Sequence, residues 1–519
     1  MRPVRLVPAA AVLLALGAIA AAAQFGQPAA TAPSQAAMAP GQAAVTSAAR
    51  ACPPVPGGGS STVAFVAGPL PSSSGPASGP GQAGGSGPAS GSGRAGGSGQ
   101  AELAPLPLAG AELRVASPIS QEVPGGLQML TIPAAQSASK KNTQVLQGWS
   151  VTANGTMAQA MEAELTQSPG LATLRCSGPG SDIWFVGPGQ QGGASQIQLD
   201  LMNIDALAAS VDVSVMTDAG RVEAGSAAGI TVPPHHTVTE SLSSQAGGSS
   251  VVAIEVRTSI GRVAADVSEG SSHGGTASWL PSAAAPSTDL VIPGVPPSGS
   301  QAGLYIVVPG SADARVSVLA VTPQGPYRPF GAQTEDLPAN SASYVPLPPL
   351  GGSAAGLELE SNVPVTAAVL VPGSGLGAFT AATAPISEQA IVAGNSSGSG
   401  LDATIVLSAP DGAARVHLTE MAEATAPGRS ANGAGATVSQ VVSIRAGHTL
   451  TAPVSAPSGA RAGTAFAVVI TPLPGSGPVY AARVETQAQN TVVSIIPAVS
   501  ALTAISLPPV RDSYDAISP

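Results

Sequence analysis

Charge, aromatic rings and cysteine are all scarce in this chain. Of 519 residues, 19 are Lys or Arg and 29 are Asp or Glu, giving a net charge of −10. No basic cluster interrupts that acidic balance, and three Trp, five Tyr and six Phe leave few stacking platforms. Nucleic-acid binding therefore lacks both its electrostatic footprint and its aromatic faces. Histidine is as sparse. His235 and His236 are adjacent at a predicted turn, where neighbouring side chains diverge, and His273, His417 and His448 are scattered. None has the spacing of a zinc site, such as two His one helical turn apart with a carboxylate. No metal and no cofactor are predicted.

Catalytic patterns are equally thin. Gly270-Ser-Ser-His-Gly274 and Gly394-Asn-Ser-Ser-Gly398 match Gly-x-Ser-x-Gly, but a nucleophile elbow needs a strand before it and a helix after it. Both run into Gly-rich loop and further strand, and a chain with 63 glycines offers such matches by chance. Glycoside hydrolysis needs two acids flanking a cleft. Asp182, Asp200, Asp205, Asp212, Asp218, Glu223, Glu335 and Asp336 fall instead on predicted turns and solvent faces. The pairs Asp200/Asp205 and Asp402/Asp411 are too sparse for a calcium loop. No catalytic residue is expected.

Long apolar runs are absent after the first 23 residues. Arg2 and Arg5 precede an apolar run of 18 residues, Leu6 to Ala23, ending in Ala21-Ala22-Ala23, the layout of a secretory signal peptide. Export to the cell envelope or extracellular space is expected. Membrane contact would come only through this segment, if uncleaved, and its length is barely enough to span a bilayer of ~20 residues. The two cysteines, Cys52 and Cys176, then meet an oxidising compartment and are expected to pair.

What the chain does have is 63 Gly and 50 Pro set among Ala, Val, Leu and Ile, a composition suited to small turn-rich β modules. Residues 1–23 read as the signal segment, 24–60 as a disordered spacer, and 61–70 as an isolated strand around Ser61-Thr-Val-Ala-Phe-Val66. Residues 71–100 read as a Gly/Ser/Pro-rich linker and 101–180 as an N-terminal β region, in which Met157 to Leu165 fits a short helix or a strand. Three segments, 181–285, 286–385 and 386–519, then repeat one pattern. Each opens with a stretch closed by glycine: Trp184 to Gly187, Leu290 to Gly294, Ile391 to Gly394. Each has a mid-module corner, at Val232 to Val238, Leu337 to Val345 and Ile444 to Leu450. Each ends on an Ala-Ala echo: Ala264-Ala265, Ala367-Ala368, Ala481-Ala482. Alternation, as in Val211-Asp-Val-Ser-Val215, marks half-buried antiparallel strands. Seven or eight short strands per ~100 residues describe an all-β fold of tandem antiparallel β-sandwich modules. A β-propeller of six to eight blades would use the same strands and give residues 101–180 a place. Most aromatics fall on strands. Tyr327-Arg-Pro-Phe330 is the exception, a loop of aromatic and basic character suited to carbohydrate or peptide contact.

Cys176 followed by Asp182-Ile-Trp-Phe-Val-Gly187, an Ala-rich N-terminus and the closing Ile505-Ser-Leu-Pro-Pro-Val510 resemble a family of secreted actinobacterial proteins that carry a domain of unknown function. The resemblance covers most of the chain after the linker and brings no catalytic residue with it. Export, modular repeats and the missing catalytic patterns point to a non-enzymatic scaffold or binding surface, with a cell-wall polymer or an envelope protein as partner. An exported enzyme acting on glycans or peptides is the alternative. Oligomeric state is not legible in the sequence.

Overall fold

The structure, a computed structural model, describes residues 41–55, 60–68, 100–110, 119–121, 126–132, 147–168, 172–222, 228–271, 277–297, 302–373, 377–395, 400–423, 436–458, 465–487 and 491–507. Residues 1–23, read as a signal segment, most of the residues read as spacer and linker, and His273 lie outside them. The described chain is β-strand and turn, with two short 3-10 turns and no α-helix. Gly41–Ala44 and Ala504–Leu507 form a two-stranded sheet. The main unit is Ala44–Ile505.

The first repeat shows the plan. Its opening strand Asp182–Pro188 pairs with Val251–Ile260, which pairs with Ala209–Thr217; the short strands Gly220–Val222 and Ile230–Val232 take the outer edge. The facing sheet runs His236–Ser241, Ala194–Asn203, Ala264–Ser271, Ser278–Leu280. The chain crosses between the two sheets at most of its connections, which is sandwich connectivity; a propeller blade completes one meander before the next begins. The third repeat follows the same order. Its first sheet is Ala390–Asn395, Phe466–Pro472, Ala414–Ala422, Thr437–Ile444, and its facing sheet is His448–Val454, Leu401–Ala409, Tyr480–Gln487, Thr491–Pro497. In the second repeat one continuous strand, Ala355–Val371, serves both sheets, pairing with Ser287–Val295 and Ala314–Thr322 through its first half and with Ala302–Val308 through its second.

The N-terminal region is a fourth copy. One sheet is Ser47–Cys52, Gln147–Asn154, Gln100–Pro107, Ile119–Gln121, and the other is Gly126–Ile132, Ser60–Ala67, Glu162–Ser168, Thr173–Arg175. Three sequence readings are corrected by this. Ser60–Ala67 is not isolated but hydrogen-bonds on both sides, to Gly126–Ile132 and Glu162–Ser168. The spacer assigned to 24–60 contains the opening strand Ser47–Cys52. Met157 to Leu165 is neither one helix nor one strand, since the 3-10 turn Gly155–Ala158 leads into Glu162–Ser168. Periodicity missed this copy because the residues read as a linker separate its second strand from its third.

Local chemistry repeats with the topology. At each mid-module corner one residue takes positive φ: His235 at 56°, Asn340 at 52° and Gly447 at 73°. His236, Ser341 and His448 follow, and each bonds back to a turn carbonyl, of Pro234, Pro338 and Ala446. The Ala-Ala echo is less faithful. Strand pairing makes Ala265, Ala367 and Ala481 equivalent, opposite the core residues Leu201, Ile306 and Leu407. The first repeat is thus one residue out of step with the alignment by sequence. A shift by one turns a strand over, so Asp266 takes the outward place that Ala368 and Ala482 hold in the other copies.

The four modules contact one another in a closed cycle. The second sheet of each packs on the first sheet of the copy before it, and the second sheet of the N-terminal module packs on the first sheet of the third repeat. Between first and second repeats the interface is continuous with a core, as Tyr305, Val307, Ala368 and Leu370 join Trp184, Phe185 and Ile254. Val406, Ala482, Val484 and Ile495 join the second repeat's core in the same way. The glycines closing the second and third opening stretches, Gly294 and Gly394, are where a neighbouring module approaches, while Gly187 is met by Leu280 of its own facing sheet. A Cβ at Gly294 would lie 2.4 Å from the Cβ of Ala482. Apolar interfaces of this kind hold modules as one rigid body.

Candidate functional site

Three arrangements concentrate polar chemistry: one buried where the cycle closes, one buried between the first repeat and the N-terminal module, and one on the surface of the second repeat. At the closure, Glu164 accepts hydrogen bonds from the backbone N–H groups of Ala393 (2.7 Å) and Gly394 (3.1 Å), tying the N-terminal module to the opening strand of the third repeat. The fully buried Arg483 meets Glu164 at 3.0 Å, donates to the Gly394 carbonyl at 2.9 Å, and reaches Thr173 and Ser494, which also bond to each other. Burial raises the pKa of Glu164 even against Arg483 and those two amides. Two strand positions away lies Glu162, for which burial acts upward; Arg175 and Arg50 outweigh it and hold the carboxyl below its ordinary value. Leu165, Val267 and Val369 occupy the place equivalent to Arg483 in the other copies. Nothing in the apolar pattern foretells an arginine there.

A carboxylate pair lies at the interface between the first repeat and the N-terminal module. Asp200 and Asp266 are cross-strand partners on neighbouring strands. Asp200 accepts from Thr239 at 2.6 Å, and Asp266 accepts from Ser177 of the N-terminal module at 2.6 Å. The expectation that Asp200 faces solvent is corrected: it is 0% exposed, and Asp266 is 2% exposed. Burial pushes Asp200 up to about 6, and burial with the adjacent Asp200 pushes Asp266 well above its usual range. Arg175 is the facing cation that acts against this. Glu269, fully buried without a hydrogen bond, is also raised by burial.

These shifts fix a pH dependence. An acid with a raised folded pKa binds more protons folded than unfolded, so stability falls as pH rises through the interval between the two values. For Asp200 that interval is 3.8 to about 6, a loss of ~3 kcal/mol at 1.36 kcal/mol per pKa unit. The melting temperature is expected to be higher at pH 5 than at pH 8, and D200N to flatten the profile. An unchanged slope in D200N would assign the effect to other groups.

The surface site lies on the first sheet of the second repeat. Arg315, Ser317, Arg328, Thr334, Glu360, Ser361 and Asn362 line an open hollow of about 410 Å³. Asn362 shapes it by accepting from the Arg315 backbone N–H at 2.6 Å, and Arg328 donates to Ser317. Arg315 stands 3.8 Å from Asp336 with both side chains exposed, leaving its guanidinium open to a ligand. The loop singled out in the sequence contributes Arg328 to the hollow, and in it Tyr327 is 37% exposed and Phe330 87% exposed.

The remaining sequence candidates disperse. Cys52 and Cys176 form a buried disulfide, Cα atoms 4.6 Å apart. Asp205 pairs with Arg262, Asp212 accepts from the Gly229 N–H and Asp218 from the Ser250 N–H. Glu223 and most of both Gly-x-Ser-x-Gly matches lie outside the described residues. Among the described residues no cluster of three metal-ligating side chains is present, and no helix is long and apolar enough to cross a membrane.

No curated protein and no solved structure matches the chain. A model described as a family of unknown function (DUF5719) matches residues 134–455, from the later strands of the N-terminal module into the third repeat. That is more than half of the sequence, and the chain belongs to this family.

Proposed function

We propose that this is an exported, non-enzymatic protein of the cell envelope or extracellular space. Its ring of four sandwiches is a rigid scaffold, and its second repeat carries a binding surface for cell-wall polymer. The observation behind this reading is the hollow of Arg315, Arg328, Ser317 and Asn362, whose Arg328 comes from the same loop that exposes Tyr327 and Phe330. Sugar rings bind where an aromatic face supplies apolar contact and planar polar groups supply directed hydrogen bonds; guanidinium groups add affinity for phosphate or carboxylate substituents. The paired acids Asp200 and Asp266 are sealed behind an interface, which favours a scaffold over an enzyme acting on glycans or peptides. The pairing of Cys52 with Cys176 is in keeping with an oxidising compartment.

Retention of the chain on purified wall fractions checks this. Binding is expected above that of an unrelated acidic exported protein, and F330A with R328Q is expected to lower it about tenfold, a ~1.4 kcal/mol loss. Retention equal to the acidic control would overturn the reading.

A further inference from the structure

The outer edge of the first sheet differs among the four copies. In the N-terminal module it is Ile119–Gln121, in the first repeat Gly220–Val222 and Ile230–Val232, and in the second Gly325–Tyr327 and Thr334–Leu337. None of these exceeds four residues. Short and interrupted edges are how β proteins avoid pairing with other chains. The third repeat breaks this rule. Thr437–Ile444 is an unbroken strand of eight residues, paired over its whole length with Ala414–Ala422 and with no strand on its other side among the described residues. It has no charge and no proline, and Val438 and Val441 are 42% and 52% exposed. In a protein that protects three equivalent edges, an open edge of this length is a pairing surface.

We propose that Thr437–Ile444 pairs antiparallel with the same strand of a second copy, joining two four-stranded sheets into one. Its sequence is self-complementary. A two-fold axis perpendicular to the sheet keeps each strand face on its own side, so residues of like parity meet. With the axis at Val441, that residue meets its own copy, Val438 meets Ile444, Gln440 meets Val442 and Ser439 meets Ser443. Both exposed valines then gain apolar partners and no charge faces another. An axis at Gln440 would set Val441 against Ser439. The net charge of −10 on each copy opposes association through a screened repulsion, so the dimer tightens with added salt. This inference does not rest on wall binding.

The test is the solution mass of the full chain by sedimentation at about 1 to 100 µM, the range in which an edge pairing of this size is readable. A monomer–dimer equilibrium is expected, weakened at least tenfold in V441K, which sets two like charges face to face, with an unchanged melting temperature. The only two cysteines are already bonded, so V441C reports register directly. It is expected to form a disulfide-linked dimer on mild oxidation, whereas S439C, which faces Ser443, is not. If V441K fails to fold, the V441C and S439C pair decides alone. A monomer throughout the range, a dimer indifferent to V441K, or S439C cross-linking as well as V441C would overturn the proposal.

Discussion

Replacing Arg483 by leucine is expected to destabilise the main unit by about 3–5 kcal/mol, the cost of leaving one member of a buried ion pair alone. Leucine itself is no burden at this place, since Leu165, Val267 and Val369 fill it in the other three modules. The loss comes from Glu164, which keeps the amides of Ala393 and Gly394 but loses the guanidinium 3.0 Å away. A double-mutant cycle separates these contributions. In R483L/E164A the buried charge is gone, so the loss is expected to fall short of the sum of the singles by about 2 kcal/mol or more. The penalty of R483L is also expected to shrink as pH falls, because Glu164, already raised by burial, loses its cation and is neutralised more readily by a proton. Urea unfolding of the four proteins at pH 5 and pH 8 measures both effects; additive losses without pH dependence would show that Glu164 and Arg483 are not coupled.

Removing the disulfide is the second large effect. Cys52 ends the opening strand of the N-terminal module and Cys176 follows its last strand, a separation of 124 residues. In the chain-entropy account a loop of that length gives about 5 kcal/mol. The same place in every module is already held by backbone bonding: Ala51 with Ser177, Trp184 with Ala283, Val291 with Thr383 and Ala390 with Ser500. The bond therefore reinforces a contact that three copies make without cysteine. C52A/C176A is expected to unfold at markedly lower urea with an unchanged near-ultraviolet spectrum, because the native contact persists while the unfolded chain gains freedom. A lost spectrum would mean that the contact depends on the bond.

Much of the fold was legible in the sequence. β-branched alternation, glycine-closed opening strands and corner turns identify three sandwich copies because strand period and turn chemistry are local properties. The fourth copy was hidden by the stretch between Ala67 and Gln100, which separates strands that pair only in space. Register was hidden too. The Ala-Ala echo is out of step in the first repeat, and that one-residue shift turns Asp266 toward the N-terminal module. The surface loop Tyr327 to Phe330 could be noticed because aromatics are rare here; the hollow beside it draws Glu360, Ser361 and Asn362 from a distant strand.

The sequence by itself determined the all-β class, the repeated sandwich and the pairing of its only two cysteines. These follow from periodicity, turn residues and composition, all of which act over short distances. Tertiary structure alone decided that the modules close on one another, and that Arg483 and Glu164 form the buried ion pair at the closure. Residues 319 positions apart become neighbours only when the ring is complete, and the burial that follows raises the pKa of Glu164.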